Sequence, residues 1–412
     1  MKHFRSVWIL TIMVLVSGTA AAFAAPTTPV ANISRMFAQV SSSASLAGPS
    51  MILIDRSSGE IVFQTDATSL RKPASILKLL STSAAMQYLD PNYRYVTRVA
   101  KGLNPRSLVI SGNLDPWMTG SYVQAKKYHR AWLQYLVNRS IADLEAEKAT
   151  PLHTVSIEYS GLYSKNMGYL KRAFIAKGVT PIMKEISANR VVSASGAEIA
   201  FVTSPSVSEM VKFALTWSDN LLAERLARAA SHAIGYQMND AGVAQTIKRL
   251  LVDLNVDQSG LYIYDGSGLS KRNRVTAKLI AEFLLKIRGN EKFSAVYEGL
   301  PISGVSGTLD SRFIKTAPQA IGLVHAKTGT LDGTVSLAGY VESGSHEYVF
   351  VAIADHIRKG AAAADRARNT LDRLLGKITA PLEVATSTDS LVVVPTTFEP
   401  DVVPTTSGGH RD

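Results

Sequence analysis

The chain contains no cysteine, and this absence restricts how it can be stabilised. Disulfides, thiol catalysis and cysteine-ligated metal sites are all excluded. A chain of 412 residues must therefore be held together by buried apolar surface, and 46% of its residues are apolar. That is the composition of a globular protein, and the length allows two packed domains of about 100–200 residues each.

The N-terminus has the features of a secretory signal. Lys2 and Arg5 precede an apolar stretch from Val7 to Val16, and Ala22-Phe-Ala24 has the small-x-small form that a signal peptidase accepts. We therefore predict a signal peptide over residues 1–24 and an exported protein, in the periplasm or the extracellular cell-wall space. An uncleaved N-terminus that associates with the membrane is the alternative.

The charge is basic but evenly spread. Lys and Arg number 44 against 33 Asp and Glu, which gives a net charge of +11. A basic protein suits anionic partners. The chain has no concentrated Lys/Arg block and no basic helix interleaved with aromatic residues, so we do not predict nucleic-acid binding.

Hydrophobic periodicity and turn residues divide the rest of the chain. Two β-rich runs around Arg56-Ser-Ser-Gly59 predict a hairpin. Helical spacing predicts a helix from near Pro73, further helices after Ser206 and a final helix over 361–378, with strands between 325 and 354. We predict a linker with a first helix over 25–49 and a main domain over 50–90 and 201–378. An inserted region over 91–200, with strand-like runs and turns, interrupts this domain. A disordered tail follows over 379–412.

The first candidate for chemistry is Ser75-Ile-Leu-Lys78. Positions i and i+3 share a helix face, so both side chains would point into one space. A serine hydroxyl needs a base to become a nucleophile, and a lysine can serve if its pKa is lowered. The motif alone is weak, because Ser69 and Lys72 have the same spacing.

The second candidate is Ser218-Asp219-Asn220, between two helical segments. Serine could relay a proton, and asparagine could hold a substrate amide through its donor and its acceptor. An ordinary helix N-cap is the alternative, since all three residue types cap helices. The S-x-N spacing also occurs at Ser111–Asn113, Ser164–Asn166 and Ser187–Asn189.

The third candidate is Lys327-Thr328-Gly329-Thr330, which leads into a strand-like run. A lysine and two threonines could bind a substrate carboxylate by charge and hydroxyl donors, and the glycine would leave room for a substrate backbone. A plain strand that ends in water is the alternative. His325 lies just before the motif, and no second histidine or carboxylate lies near it in sequence, so we interpret it as structural.

The order S-x-x-K, S-x-N, K-T-G is far more specific than its parts. It resembles the signature of penicillin-binding proteins and serine β-lactamases. Longer strings are similar to the class C low-molecular-mass penicillin-binding proteins, the D-Ala-D-Ala carboxypeptidase/endopeptidases. These strings are Asp265-Gly-Ser-Gly-Leu-Ser270, Asn273–Thr276, Leu300–Gly304, Gly307-Thr-Leu309, Ala326–Leu331, Ser336–Tyr340 and, less closely, Gly112-Asn-Leu-Asp115-Pro116.

The resemblance implies a mixed α/β fold of the transpeptidase/β-lactamase type. We expect an antiparallel sheet flanked by helices and built from both chain ends, a helical lobe and a small inserted domain. The site would lie between the sheet edge bearing Lys327 and the lobe bearing Ser75 and Ser218. Neither a metal nor a cofactor is implied.

The resemblance also implies roles for the matched residues. Ser75 would be the acylated nucleophile, Lys78 its base, and Ser218 the group that passes the proton to the leaving amine. Asn220 would hold the substrate amide, while Lys327, Thr328 and Thr330 would bind the terminal carboxylate. The backbone N–H groups of Ser75 and Thr330 would form the oxyanion hole. Asp265 and Ser267 match a family string, and we expect them to form a turn.

The implied activity is that of a D-alanyl-D-alanine carboxypeptidase acting on peptidoglycan stem peptides and acylated by β-lactam antibiotics. Additional endopeptidase activity stays open. A β-lactamase is one alternative, although no Glu-x-x-x-Asn segment between Ser218 and Lys327 would supply a deacylating base. A catalytically weak wall-binding or penicillin-sensing protein, and an esterase or D-aminopeptidase on the same scaffold, are others.

Overall fold

A computed structural model describes residues 30–146 and 151–379. Its helices are α1 (Val30–Ser41), α2 (Lys78–Tyr88), α3 (Tyr122–Tyr128), α4 (Leu133–Ala146), α5 (Ser164–Ala176), α6 (Val191–Ala194), α7 (Val207–Thr216), α8 (Asn220–Ala233), α9 (Asp240–Asp253), α10 (Ala277–Ile287), α11 (Ser294–Glu298) and α12 (Ala361–Ile378). Its strands are β1 (Ser50–Asp55), β2 (Ile61–Thr65), β3 (Arg94–Gly102), β4 (Ser107–Ser111), β5 (Thr154–Ser160), β6 (Thr180–Glu185), β7 (Ser195–Ser206), β8 (Val324–Leu331), β9 (Thr334–Ser343) and β10 (His346–Ala354).

The main sheet joins the two ends of the described chain. Its strand order is β2-β1-β10-β9-β8, and every pair is antiparallel. The predicted hairpin is confirmed as β1 and β2, and the strands predicted between 325 and 354 are β8, β9 and β10. The short links between β8, β9 and β10 leave β8 on the edge of the sheet.

Alternate residues of the main sheet enter two separate cores, because successive side chains in a strand point to opposite faces. Ile52 and Ile54 of β1 join the core with helices α2, α7, α8, α9 and α10, which form the helical lobe. Met51 and Leu53 join the other core, with α1 and α12. The sheet is therefore covered by helices on both faces, and the predicted mixed α/β architecture is confirmed.

A second sheet lies between α2 and α7 in the sequence. Its strand order is β6-β5-β4-β3-β7, and it is mixed, with β4, β5 and β6 parallel to one another and β3 antiparallel to β4 and β7. Helices α4 and α5 pack on it through a core of their own. The last strand, β7, continues past the predicted boundary at residue 200 to Ser206.

Some sequence predictions for this region were incomplete. The strand-like runs at 95–100, 108–111 and 154–159 are β3, β4 and β5, but the helices α4 and α5 and the strands β6 and β7 were not predicted. Elsewhere the final helix over 361–378 is confirmed as α12, and the first helix as α1. The predicted signal peptide lies outside the described residues, as does the predicted tail apart from Thr379.

Candidate active site

Ser75 and Lys78 meet at the start of the first helix of the lobe. Ser75 lies in a short 3₁₀ turn, Ala74–Leu77, and Lys78 is the first residue of α2. The Nζ atom of Lys78 donates a hydrogen bond to Oγ of Ser75 over 2.8 Å. The preceding residue, Ala74, has a φ of +52°, a left-handed conformation that costs a non-glycine residue about 1–3 kcal/mol and is found often at active sites.

The ammonium of Lys78 is buried and surrounded by acceptors. Besides Ser75, it donates to Oδ1 of Asn220 and to the carbonyl oxygen of Ser267, each over 2.6 Å. Burial lowers the pKa of Lys78 from 10.5 to about 8, against the opposing charges of Asp265, Asp219 and Glu224. At neutral pH about one molecule in ten therefore holds Lys78 as a neutral amine, the form that can accept a proton.

The Asp265–Ser270 loop presents the Ser267 carbonyl to Lys78. Both carboxylate oxygens of Asp265 accept hydrogen bonds from inside the loop, from the N–H groups of Gly268 (2.8 Å) and Ser270 (2.7 Å). The predicted turn-forming role of Asp265 and Ser267 is therefore confirmed. The sequence marked the segment Asp265–Ser270 as similar to a family string, but it did not predict the contact of this loop with Lys78.

Gly268 allows the loop to approach the nucleophile closely. Its φ is +86°, and a Cβ atom there would lie 2.0 Å from the carbonyl oxygen of Ala74 and 3.2 Å from the backbone nitrogen of Ser75. No larger residue fits without moving the backbone that carries Ser75.

The second motif connects α7 and α8. Ser218 has a φ of +57° in the turn between the helices, and Asp219 caps α8 by accepting from the N–H of Leu222 over 2.9 Å. The cap is thus formed by the middle residue of the motif. Asn220 is left to face the site, where its Oδ1 atom contacts Lys78.

The third motif lies on the edge strand β8. The side chain of Lys327 is fully buried, and its Nζ atom donates to the carbonyl oxygen of Thr328 over 2.9 Å. Burial, together with the charge of Lys78, lowers the pKa of Lys327 well below its usual value. A Cβ atom at Gly329 would contact Pro73 and Ala74, so β8 passes directly beside the turn that carries Ser75.

The open edge of β8 presents backbone donors. The N–H of Ala326 donates away from β9, to the carbonyl oxygen of Pro301 over 2.9 Å. Alternate N–H groups of a strand point the same way, so those of Thr328 and Thr330 also face the open edge. They could bind a negatively charged oxygen or extend the sheet with an extended peptide.

Two further side chains contact the threonines of the third motif. Oγ1 of Thr308 lies 2.7 Å from Oγ1 of Thr328, and Nη2 of Arg368 donates to Oγ1 of Thr330 over 3.0 Å. Thr308 belongs to the string Gly307-Thr-Leu309, which had signalled a resemblance but no role. No sequence pattern near α12 indicated a role for Arg368, because its partner, Thr330, is distant in sequence and becomes a neighbour only in the folded chain.

The competing sequence candidates are not assembled into a site. Ser69 and Lys72 both lie outside any helix, and the backbone N–H of Lys72 bonds to Asp355 instead. The ring of His325 stacks on Tyr297 with centroids 5.1 Å apart, as the structural interpretation predicts. Within residues 30–146 and 151–379, no group of three or more His, Asp or Glu side chains is arranged to hold a metal ion.

The D-Ala-D-Ala carboxypeptidase 3 (S13) family matches residues 30–127 and 147–378, which is most of the chain. The chain belongs to this family. The match includes all three motifs, and it confirms the resemblance to class C low-molecular-mass penicillin-binding proteins. The S13 protein is accordingly a serine D-Ala-D-Ala carboxypeptidase, a hydrolase.

Individual relatives agree with this family. Carboxypeptidase DacB of Mycolicibacterium smegmatis is 28% identical over 349 residues, which are 72% of this chain and 75% of the relative. The D-alanyl-D-alanine carboxypeptidase of an Actinomadura species is 36% identical over a shorter stretch, 36% of this chain and 28% of that enzyme.

The fold of the S13 protein also matches a solved structure. Penicillin-binding protein 4 (dacB) from Haemophilus influenzae, in complex with a novel β-lactam, superimposes with a TM-score of 0.63 at 18% identity. The match covers 84% of this chain and 99% of that one. The mixed α/β transpeptidase-type architecture is therefore shared by the two proteins.

Proposed function

We propose that the S13 protein cleaves the terminal D-Ala-D-Ala bond of peptidoglycan stem peptides through an acyl-enzyme on Ser75. The observation that carries this proposal is the buried Lys78 amine, 2.8 Å from the Ser75 hydroxyl and with its pKa lowered to about 8. It provides a nucleophile and a base in contact, without the histidine and aspartate used by other serine hydrolases.

Acylation begins when neutral Lys78 takes the hydroxyl proton of Ser75. The Ser75 oxygen then attacks the carbonyl carbon of the penultimate D-alanine. The backbone N–H groups of Ser75 and Thr330 receive the resulting oxyanion, and the orientation of the β8 edge supports this role for Thr330.

The leaving group needs a proton when the C–N bond breaks. Ser218, half-buried beside Asn220, passes a proton from Lys78 to the amine of the departing D-alanine. Water then attacks the ester carbonyl while Lys78 accepts a proton from it. Lys78 passes this proton to the Ser75 oxygen as the ester C–O bond breaks, so the shortened peptide leaves with a carboxylate and Ser75 is restored.

The remaining motif residues hold the substrate. Asn220 binds the peptide amide on the acyl side, and Lys327, Thr328 and Thr330 bind the terminal carboxylate. Two contacts support this placement, because Thr308 is hydrogen-bonded to the hydroxyl of Thr328 and Arg368 donates to the hydroxyl of Thr330. The positive charge of Arg368 next to the carboxylate position is shared with Asp365, which pairs with its other Nη atom over 2.6 Å.

Penicillins imitate this substrate, and we propose that they acylate the same serine. The Haemophilus relative is known in complex with a β-lactam.

We further propose that residues 91–200 are an inserted domain. We also propose that the protein is exported to the periplasm or cell-wall space, and that it associates with the membrane if its N-terminus is not cleaved. Among the residues that the structure describes, no helix is long and apolar enough to cross a bilayer. Cell fractionation with an antibody to the C-terminal half tests the location, and a purely cytosolic signal would contradict it.

A fluorescent penicillin tests the assignment of the nucleophile. The mature protein and its Ser75→Ala variant are incubated with the probe, and the labelled peptide is identified by mass spectrometry. We expect one adduct on Ser75 in the wild-type protein and none in the variant.

Substrate release is measured on the same samples. Liberation of D-alanine from a D-Ala-D-Ala peptide by the wild-type protein alone would agree with the proposed function. An adduct that persists in Ser75→Ala, or rapid turnover of the penicillin, would contradict it, and rapid turnover would indicate a β-lactamase.

A further inference from the structure

Helices α1 and α12 cover the main sheet on the side away from the helical lobe, where their buried residues share a core with β1. The two helices are adjacent, because the hydroxyl of Ser45, just beyond α1, lies 2.8 Å from that of Thr370 on α12. Ser75 lies on the other side of the sheet, since its neighbour Ile76 enters the core of the lobe. The outer surface of α1 and α12 therefore lies across the sheet from the nucleophile.

Exposed cations mark this outer surface, which we call the α1/α12 face. They are Arg35, Arg358, Arg366, Arg373 and Lys377. Within residues 30–146 and 151–379, none of the five forms an ion pair. These residues are dispersed along the sequence, which shows no basic block, and the fold groups them on one surface.

The acidic side chains of the two helices are already neutralised. Helix α1 contains no acidic residue, and α12 contains only Asp365 and Asp372. Asp365 pairs with Arg368 over 2.6 Å, and the buried Asp372 pairs with Arg312. The positive charge of the α1/α12 face is therefore not compensated by the helices that carry it.

Three of the cations lie along one line of α12. Lys377 and Arg373 are eleven and seven residues beyond Arg366, and a helix turns by about 100° per residue, so the three side chains point within about 20° of the direction of Arg366. The line is about 16 Å long. Asp365 and Asp372 each precede one of the arginines and point about 100° away from it. The cations thus form a stripe that is separate from the acidic residues.

A cleft of about 560 Å³ lies at the N-terminal end of this stripe. Arg358, Arg366 and His356 line it, together with small and apolar side chains, and no acidic side chain does. A guanidinium group binds phosphate through two parallel hydrogen bonds, so two arginines at one cleft favour a phosphate-bearing ligand.

The exposed cations of the helical lobe are arranged differently. Arg228 of α8 pairs with Glu224 over 2.7 Å, and Arg249 of α9 pairs with Asp253 over 2.8 Å. Such pairs leave little net charge at their positions. An extended anionic partner is therefore attracted to the α1/α12 face, where the positive charge is unpaired.

The α1/α12 face has the composition of a surface that binds by charge alone. From Asn32 onward, neither α1 nor α12 exposes a large apolar side chain. The centre of a protein–protein interface is usually apolar and depleted in charge, which this surface is not. A layer of anionic lipid headgroups attracts clusters of Lys and Arg without requiring an apolar contact.

The chain before α1 also favours a lipid surface as the partner. The apolar stretch that begins at Val7 ends at Val16, and α1 begins at Val30. The chain between Val16 and Val30 spans at most about 50 Å. While that stretch is attached and inserted in a bilayer, the α1/α12 face is therefore within reach of the lipid headgroups.

We propose that the α1/α12 face docks on the anionic headgroups of a bilayer, with a lipid phosphate bound in the cleft by Arg358 and Arg366. The main sheet then lies between the bilayer and the helical lobe, and Ser75 lies on the side away from the lipid. The proposal rests on the proposed export of the protein, and it names the surface that meets the membrane.

Binding to lipid vesicles tests the docking. The mature protein is mixed with vesicles of phosphatidylcholine, alone or with about one third phosphatidylglycerol, and bound protein is measured by flotation. We expect binding to the anionic vesicles at about 0.05 M salt and at least tenfold weaker binding to the neutral ones. Binding should be lost at about 0.5 M salt, where surface charges are strongly screened.

The variant Arg366→Gln/Arg373→Gln/Lys377→Gln removes the stripe. Each cation near an anionic bilayer contributes about fivefold to the affinity, so we expect about a hundredfold weaker binding to the anionic vesicles. Labelling by fluorescent penicillin should be unchanged, since none of the three residues belongs to the active site.

A control variant removes the same charges elsewhere. Arg139, Arg190 and Lys248 are exposed, and among the described residues they form no ion pair. The triple replacement Arg139→Gln/Arg190→Gln/Lys248→Gln should weaken vesicle binding less than tenfold. Equal losses in the two triple variants would overturn the docking surface, because net charge alone would then explain binding. Absence of binding by the wild-type protein would overturn it as well.

A soluble polymer separates lipid from another phosphate source. Poly(glycerol phosphate) is added to the anionic vesicles at the same concentration of phosphate. We expect the protein to stay on the vesicles. Its transfer to the polymer would overturn the membrane proposal and assign the face to an anionic wall polymer.

The docking and the proposed function fail in different experiments. A penicillin adduct on Ser75 without vesicle binding would overturn the docking alone. Vesicle binding by a protein that forms no adduct would support the docking and overturn the serine chemistry alone.

Discussion

Lys78 is the residue on which the proposed chemistry depends most. A lysine in water is almost fully protonated at neutral pH and cannot accept a proton. Burial at the N-terminal end of α2 lowers its pKa to about 8, while the carboxylates of Asp265, Asp219 and Glu224 limit the shift. The site therefore keeps an ammonium available for binding and an amine available for catalysis within one narrow range of pH.

The rate of acylation should follow the ionisation of Lys78. Below its pKa the group is an ammonium and inactive as a base, so the second-order rate constant for penicillin acylation should rise about tenfold per pH unit up to about pH 7.5. It should level off above about pH 8.5. Stopped-flow measurements from pH 6 to 9.5 check this, and a rate that is flat over that range would exclude Lys78 as the base.

The Asp265→Asn substitution should move this profile. The charge of Asp265 is the largest one that raises the pKa of Lys78, so its removal should shift the midpoint to lower pH. Asp257→Asn is the control, because Asp257 is an exposed aspartate that does not act on Lys78. A midpoint that moves upward, or moves equally in both variants, would contradict the electrostatic role of Asp265.

Among the larger elements, the Asp265–Ser270 loop determines how Ser75 and Lys78 are placed. It contacts α2 twice, through the Ser267 carbonyl on Lys78 and through the Gly266 carbonyl, which accepts from the hydroxyl of Ser81 over 2.5 Å. The loop is therefore a structural support for the nucleophile's turn as well as a partner of the base.

Gly268→Ala should disrupt this support. A Cβ atom would overlap the carbonyl oxygen of Ala74, so we expect a loss of at least about 2 kcal/mol in stability and at least tenfold slower acylation. Gly235→Ala is the control for Gly268→Ala, because Gly235 has a similar φ of +84° but no atom lies within 4 Å of the added Cβ. Thermal unfolding and acylation rates of the two variants separate backbone strain from the clash, and equal effects would argue against a clash at Gly268.

The helices and strands predicted from the sequence differ from those that were missed in how regularly they bury their side chains. Helices such as α12 and α10 bury one face against a sheet, and their apolar spacing predicted them from the sequence. Strand β6 has a weak pattern because only Pro181 is buried, and β7 pairs irregularly with β3. Such strands depend on their neighbours in the sheet more than on their own residues.

For the whole molecule, one buried ion pair links the sheet to the segment that leads to Ser75. Nη1 of Arg71 lies 3.0 Å from Oδ1 of Asp355, just beyond the end of β10, and both side chains are buried. The other oxygen of Asp355 accepts from the backbone N–H of Lys72. The pair therefore constrains the chain shortly before the nucleophile.

Removing Asp355 from this ion pair should lower the stability of the fold. Asp355→Ala leaves Arg71 with only the exposed carboxylate of Asp66 as an ionic partner and removes the acceptor of the Lys72 N–H, and we expect a loss of about 3–5 kcal/mol in the free energy of unfolding. Asp66→Ala removes an exposed partner of the same arginine and should cost less than about 1 kcal/mol. Urea denaturation measures both, and similar losses in the two variants would contradict the dependence on burial.

Much of the active site was accessible from sequence alone. The spacing of Ser75 and Lys78, the motif around Asn220 and the Lys327–Thr330 run together identified the family and the residues for the proposed chemistry. Local rules were enough, because i and i+3 spacing, strand patterns and turn residues act within a few positions of the chain.

The distant contacts depended on the fold. The Ser267 carbonyl on Lys78, the Arg368 side chain on Thr330 and the cleft between Ser45 and Arg366 join segments that are far apart in sequence. Their formation depends on how the two sheets and the helical lobe pack, which is a property of the whole core. No local pattern records such packing, so these features could be recognised only once the chain was folded.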